Sequence, residues 1–223
     1  MDSQASLKLA SLIDHTLLKP NASGPDHMVL CEQAKVWNFR TVCVYPQFVE
    51  LCTNELEESA TEVCTVIDFP GGLGDVERNV DDVEMITSEG AMEIDLVMDM
   101  DAFRHGNYEK VAAGIYSVVE AAEGRIVKVI IESCLWNSIQ IKTACEIIRD
   151  AKAQFVKTST GFSKHGASVE HVKLIRETVG DIFGVKASGG IQSFQDTVAM
   201  IQAGANRIGT SSGVEIMNVR NAS

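Results

Sequence analysis

Short apolar, β-branched runs recur along this chain, and a stretch of helical period follows most of them. The clear runs are TVCVYP (41–46), VCTVIDFP (63–70), EIDLVM (93–98), RIVKVIIES (125–133), FVKTSTG (155–161), GVKASGG (184–190) and RIGTSS (207–212). Near-continuous apolar runs suit parallel strands that are covered on both faces. Between them, DHMVLCEQAKVWN, NYEKVAAGIYSVVEAA, SIQIKTACEIIRDAK, SVEHVKLIRETVG and SFQDTVAMIQAG read as helices. Their openings at Ser, Asn or Asp suit helix caps, and Gly180, Gly204, Gly90 and Gly124 suit helix ends. The eighth run needed to close a barrel is SLIDHTLL (11–18). The repeat length, about 25 to 30 residues, is that of one βα unit, so the chain is expected to form a compact (β/α)₈ TIM barrel. An open doubly wound sheet is the alternative, and the chemistry at the strand ends separates the two.

At roughly 150 residues per domain, 223 residues leave a choice between one large domain and two small ones. No Ser/Gly tract and only four Pro interrupt the chain, so a single domain over 1–223 is expected. Nineteen Lys and Arg against 31 Asp and Glu give a net charge of −12. That balance argues against a nucleic-acid partner, which is met through a positive field. The six Cys form no CxxC pair, and no His pair has zinc spacing, so no metal is expected. The opening MDSQASLKLASLIDHTLL lacks the pattern of a secretory signal, and no run is long enough to span a membrane. A cytoplasmic chain with reduced thiols is the expectation.

In a barrel the functional groups gather at the C-terminal ends of the strands. Those ends carry Asp14, Cys43, Tyr45, Asp68, Asp95, Glu132, Lys157, Lys186, Gly209 and Ser211. Lys157 and Lys186 each follow Val in an apolar strand, one βα unit apart. Two ammoniums in one mouth disfavour each other's charge, and so does burial. One of them can then act as a neutral amine that forms a Schiff base with a carbonyl. The alternative is that Asp95, Asp14 or Glu132 holds both lysines as ion pairs. Asp95 shares a strand face with Glu93 and is a candidate proton relay between the lysines.

Glycines complete the pattern. SGG (188–190) follows the seventh run and GTSS (209–212) the eighth, where barrels often hold phosphate. Thr158, Ser159, Thr160 and Gly161 add a third hydroxyl-rich loop. Backbone amides and hydroxyls hold a phosphate without a large positive field, so the global charge does not forbid an anionic substrate. His15 reads either as an acid/base group or as a structural histidine. Cys43 either lines the mouth or packs as a thiol.

These segments resemble the deoxyribose-phosphate aldolases, which are class I aldolases. The matching stretches are IDHTLLKP (13–20), VCVYP (42–46), EIDLV (93–97), VKVIIES (127–133), FVKTSTGF (155–162), VKASGGI (185–191) and AGANRIGTSS (203–212). The resemblance implies a (β/α)₈ barrel and a Schiff-base mechanism without metal or cofactor. It implies Lys157 as the Schiff-base lysine, Lys186 as the group that lowers its proton affinity, and Asp95 as a proton shuttle. Asp14 and Thr16 would belong to the site wall, and Gly161, Gly189, Gly190, Gly209, Ser211 and Ser212 would face the phosphate. The implied reaction converts 2-deoxy-D-ribose 5-phosphate to D-glyceraldehyde 3-phosphate and acetaldehyde, reversibly, in a homodimer or larger homo-oligomer. Two positions depart from the family pattern. Asp68 in VIDFPGG stands where glycine is expected, and Asp99 in LVMDMD where asparagine is expected. Both are expected to bring negative charge near the mouth. They leave room for a Schiff-base aldolase of a related aldehyde. A non-catalytic barrel that senses a sugar phosphate is a further alternative.

Overall fold

The computed structural model describes residues 8–221; the first seven residues, part of the opening read for a secretory signal, lie outside the described residues. Eight strands are named β1 to β8 in chain order: Ile13–Thr16, Thr41–Val44, Glu62–Ile67, Glu93–Val97, Ile126–Ile130, Phe155–Lys157, Gly184–Ser188 and Arg207–Thr210. They pair in sequence order, all in parallel, and β1 pairs with β8, so the sheet closes. The open-sheet alternative is thereby set aside. The expected eighth run, SLIDHTLL, is β1.

Nine helices among the described residues are named α1 to α9: Gly24–Trp37, Val49–Glu55, Val76–Ser88, Met100–Arg104, Tyr108–Ala121, Ser138–Asp150, Val169–Val179, Phe194–Gln202 and Gly213–Asn221. Asn107, Asn137, Ser168 and Ser193 accept backbone N–H groups at the starts of α5 to α8. Such caps satisfy amides that have no partner within the helix. Two starts differ from the sequence expectation. Ser23, not Asp26, caps α1, and Asn137, not Ser138, caps α6. All four glycines expected at helix ends have positive φ, from 80° at Gly180 to 112° at Gly204. The helix α3 escaped the sequence reading because VERNVDDVEMITS is densely charged. Its buried face consists of Asn79, Val83 and Ile86.

Alternation along the strands divides the side chains between two environments. The outward set, including Val42, Val44, Ile94, Leu96, Val127, Val129, Val156, Val185 and Ile208, packs under the helices in one large core. Each fully buried aliphatic side chain there contributes about 1.5–3 kcal/mol. The inward set is different. Its apolar part is a small cluster of Leu18, Cys43, Cys64 and Val66. Branched apolar residues ordinarily fill such a barrel. Here much of the interior carries charge.

Three carboxylates, Asp14, Glu93 and Asp95, and four cations, Lys128, Lys157, Lys186 and Arg207, are all buried. The lower layer is centred on Glu93. Arg207 Nη1 lies 2.8 Å and Nη2 3.2 Å from its oxygens, and Lys128 Nζ lies 2.7 Å away. Arg40, half-buried, reaches it at 3.4 Å and also holds Glu62 at 2.7 Å. Ion pairs in a water-free interior persist only when geometry and hydrogen bonding offset desolvation. Glu93→Gln removes one of three carboxylates facing four cations. It should lower the unfolding free energy by about 3–5 kcal/mol, measured by urea denaturation. An unchanged midpoint would show that Glu93 does not anchor the layer.

Candidate active site

The upper layer is built on Asp95. Lys157 Nζ and Lys186 Nζ each donate to the same oxygen, Oδ2, at 2.7 Å. Lys128 Nζ donates to the other oxygen, Oδ1, at 2.9 Å, and Cys64 Sγ lies 3.3 Å from it. Register brings these groups together. Asp95 pairs with Lys128 on β5, and Lys157 pairs with Lys186 on β7. Asp14 adds a second carboxylate from β1, 2.5 Å from Lys186 and 2.7 Å from Arg207. The ion-pair alternative raised by the sequence therefore holds in part. Asp95 pairs with both lysines and Asp14 with Lys186, while Glu132 pairs with neither.

The charges decide each other's state. Burial pushes the Asp95 carboxyl up, but Lys128, Lys157 and Lys186 outweigh burial and hold it well below the usual carboxylate range. Asp14 is held down in the same way, against burial, by Lys186, Arg207 and Lys128. Burial disfavours the Lys186 charge, yet Asp14 and Asp95 outweigh it, so its pKa is raised. Its two carboxylate partners thus favour the charged form of Lys186. Lys128 is raised likewise, against burial, by Asp95, Cys64, Asp14 and Glu93.

A cavity of about 320 Å³ opens over this layer at the C-terminal ends of the strands. Of the charged groups inside the barrel, only Lys157 lines it. Thr16, Gly161, Gly189, Gly190, Gly209 and Ser211 line it as well, as the sequence leads one to expect. Among the described hydrogen bonds, none engages the backbone N–H of Gly161, Gly189, Gly190 or Ser211. These amides form a donor-rich stretch of the wall suited to an anion.

Other expected residues sit elsewhere. Asp14, Cys43, Asp95 and Lys186 are fully buried below the cavity floor. Cys43 packs with Cys64 and Leu18, with Sγ 4.0 Å from Asp95, so the packed-thiol reading holds. Thr158 is also fully buried, and its hydroxyl accepts from the Ser188 N–H at 3.1 Å, tying β6 to β7. Ser212 donates its N–H to Thr210 Oγ1 at 2.9 Å and does not line the cavity. His15 bonds Gln33 at 2.8 Å and tilts against Phe39, and burial lowers its pKa. It is a structural histidine.

Asp68 and Asp99 correct the sequence reading most clearly. Neither lines the cavity. Asp68, at φ 54°, accepts from the N–H groups of Leu73 and Gly74 at 2.8 Å and from Asn79, closing its own loop. Asp99 caps α4 through the Ala102 N–H and pairs with Lys110 at 2.7 Å. Local donors take up both charges away from the mouth.

The sequence reading missed Lys128, Arg207 and Gly166, and placed Glu93 beside Asp95 without giving it a role. Lys128 carried the same signal as its two partners, a lysine in an apolar strand. Gly166 carried none. A Cβ there would lie 2.0 Å from the Gly189 carbonyl oxygen, so only glycine lets this loop meet the SGG turn. Two groups of side chains come close enough to share a metal: Cys43, Cys64 and Asp95, and Asp14, Cys64 and Glu93. Lys128 Nζ lies within 3.8 Å of Cys64, Asp95, Asp14 and Glu93, so an ammonium already serves these ligands.

Residues 8–218 match the DeoC/LacD family of aldolases. The chain is 46% identical over 217 residues to the deoxyribose-phosphate aldolase of Caldanaerobacter subterraneus subsp. tengcongensis, covering 96% of this chain and 94% of that protein. It is 48% identical over 217 residues to that of Carboxydothermus hydrogenoformans, covering 96% and 95%. A solved tetrameric deoxyribose phosphate aldolase from Aeropyrum pernix has a TM-score of 0.91 to it at 33% identity, covering 98% of this chain and 93% of that one. With two lysines sharing one buried carboxylate beneath a donor-rich mouth, this chain belongs to the DeoC/LacD family of aldolases.

Proposed function

We propose that this aldolase reversibly cleaves 2-deoxy-D-ribose 5-phosphate to D-glyceraldehyde 3-phosphate and acetaldehyde, through a Schiff base on Lys157. The observation that carries this reading is the position of Lys157. It is the one amine of the buried network that reaches the cavity, and unengaged glycine amides line the same cavity. An aldehyde at the amine and a phosphate at the amides fit the two ends of one open-chain sugar. The curated relatives named above are deoxyribose-phosphate aldolases, which supports the substrate.

The neutral Lys157 amine attacks C1, and loss of water gives the iminium. A base takes the proton of the C3 hydroxyl. The C2–C3 bond then breaks, its electron pair moves toward the iminium nitrogen, and glyceraldehyde 3-phosphate departs. Protonation of the enamine at C2 and hydrolysis release acetaldehyde and restore the amine. Asp95, 2.7 Å from Lys157, orients the amine and stabilises the cationic imine. Lys186 supplies a fixed positive charge on the same oxygen, which opposes a second ammonium there. Phosphate binding far from C1 fixes the carbonyl against the amine. The turned-away carboxylates of Asp68 and Asp99 remove the observation that favoured a different aldehyde.

The Aeropyrum pernix relative is described as tetrameric. Exposed Met28, Val29 and Val36 along α1 support self-association of this chain as well. No helix of the described residues is long and apolar enough to cross a membrane.

Borohydride with acetaldehyde should leave a reduced adduct on Lys157, seen by mass spectrometry, and Lys157→Ala should abolish both the adduct and cleavage. An adduct on another lysine would refute the assignment. Lys186→Leu removes the opposing charge and leaves Asp95 more available to the Lys157 ammonium. The charge around the reacting amine then differs, so the pH profile of kcat/KM should change. A parent-like profile would remove that role from Lys186. Gly189 has φ 81°, and a Cβ there would lie 3.0 Å from Gly166 and 3.3 Å from Gly161. Gly189→Ala should therefore raise KM for the phosphorylated sugar by about tenfold, from the loss of one or two charge-assisted hydrogen bonds. An unchanged KM would place the phosphate elsewhere.

A further inference from the structure

Glu132 is a buried carboxylate that the mechanism above does not use. It follows β5, is 5% exposed, and adopts a left-handed backbone at φ 48°, ψ 59°. A non-glycine residue in that region is strained by roughly 1–2 kcal/mol. Among the described residues it has no ion-pair partner. Its hydrogen-bond partners are instead the Cys134 thiol, 3.9 Å from Oε1, and Thr160, in the loop that leaves Lys157. The Thr160 hydroxyl donates to Glu132 Oε2 at 2.5 Å, and the Thr160 N–H lies 3.3 Å from the same oxygen.

The contact reaches further along that loop. Thr160 Oγ1 in turn accepts from the Phe162 N–H at 3.0 Å. The amide between them, that of Gly161, has no partner among the described hydrogen bonds and belongs to the cavity wall. Backbone bonds flank the clamp: Ser133 N–H donates to Thr158 O at 2.8 Å and Ile131 N–H to Lys157 O at 3.0 Å. A carboxylate hydrogen bond is stronger than a neutral one, and both donors of Thr160 are spent on it. The chain on either side of Gly161 is thereby held, and its N–H is left for a ligand.

We propose that Glu132 is a positioning residue for the phosphorylated substrate, fixing the Thr160–Phe162 segment so that the Gly161 amide serves the anion. This inference rests on the phosphate reading of the cavity given above. Glu132 does not line that cavity, and its carboxylate touches neither Lys157 nor Asp95. Its loss should therefore weaken binding of the phosphate end and spare the chemistry at the amine.

The test compares Glu132→Ala and Glu132→Gln with the parent, each checked for folding by thermal melting. KM and kcat are measured on 2-deoxyribose 5-phosphate and on 2-deoxyribose, and inorganic phosphate binding by calorimetry. Glu132→Ala should raise KM for the phosphorylated sugar and Kd for phosphate by about tenfold or more. Its kcat, its kcat/KM on 2-deoxyribose and borohydride trapping of acetaldehyde on Lys157 should stay near parent values. Glu132→Gln keeps an acceptor oxygen and should restore tight binding. If Glu132→Ala fails to fold, Thr160→Val removes the hydroxyl donor instead and should reproduce the loss of phosphate affinity. Equal losses on both sugars, or an unchanged phosphate Kd, would overturn the role of Glu132. A parent that neither binds phosphate nor prefers the phosphorylated sugar would overturn the phosphate reading itself, and the role of Glu132 with it.

Discussion

The carboxylate of Asp95, shared by three lysines inside a closed barrel, is the contact on which the rest of the structure depends. Lys128 takes one oxygen, and Lys157 and Lys186 take the other. A buried charge of either sign is unfavourable alone. Each of these side chains can remain in the interior only because the others are there. Closure of the sheet completes the set, because Arg207 on β8 meets Asp14 on β1 across the seam, 193 positions apart in sequence.

Four interior cations against three carboxylates leave one positive charge in excess. Arg207 is always charged, and Lys128 and Lys186 are pinned by carboxylates on more than one side. Lys157 alone opens onto the cavity. One arrangement thus gives stability to the barrel's interior and reactivity to its mouth. Because the cations below are already paired, the polar groups left to face the cavity include Lys157, Lys19, hydroxyls and backbone amides. That division separates the chain's net charge of −12 from the charge at the cavity. It also explains why so many glycines crowd one side of the mouth. Gly161, Gly166 and Gly189 meet backbone to backbone, and a side chain at Gly166 or Gly189 would intrude.

The negative residues near the strand ends show how far local pairing governs charge. Asp68 and Asp99 follow β3 and β4 yet bond to nearby backbone amides and, for Asp99, to Lys110 on α5. Glu132 follows β5 and is taken up by Thr160. None of the three presents a free carboxylate to the cavity, although sequence position alone would place each beside it.

The sequence by itself determined the succession of strands, five of the helices between them, the eight-unit count and the neighbouring lysines. Those features are local: strand patterning is set by side-chain alternation, caps by single residues, and neighbouring strands by consecutive βα units. The family motifs also pointed to glycine loops that line the cavity. Tertiary structure alone decided which carboxylate holds which lysine, that Asp14, Cys43 and Lys186 lie under the floor rather than on the wall, and that Lys128, Arg207 and Glu93 belong to the same network. It also decided the clamp of Glu132 on Thr160 and the need for glycine at 166. These depend on barrel closure and on backbone approach across distant loops. Neither leaves a trace in local periodicity, because the partners are brought together by the shape of the whole sheet.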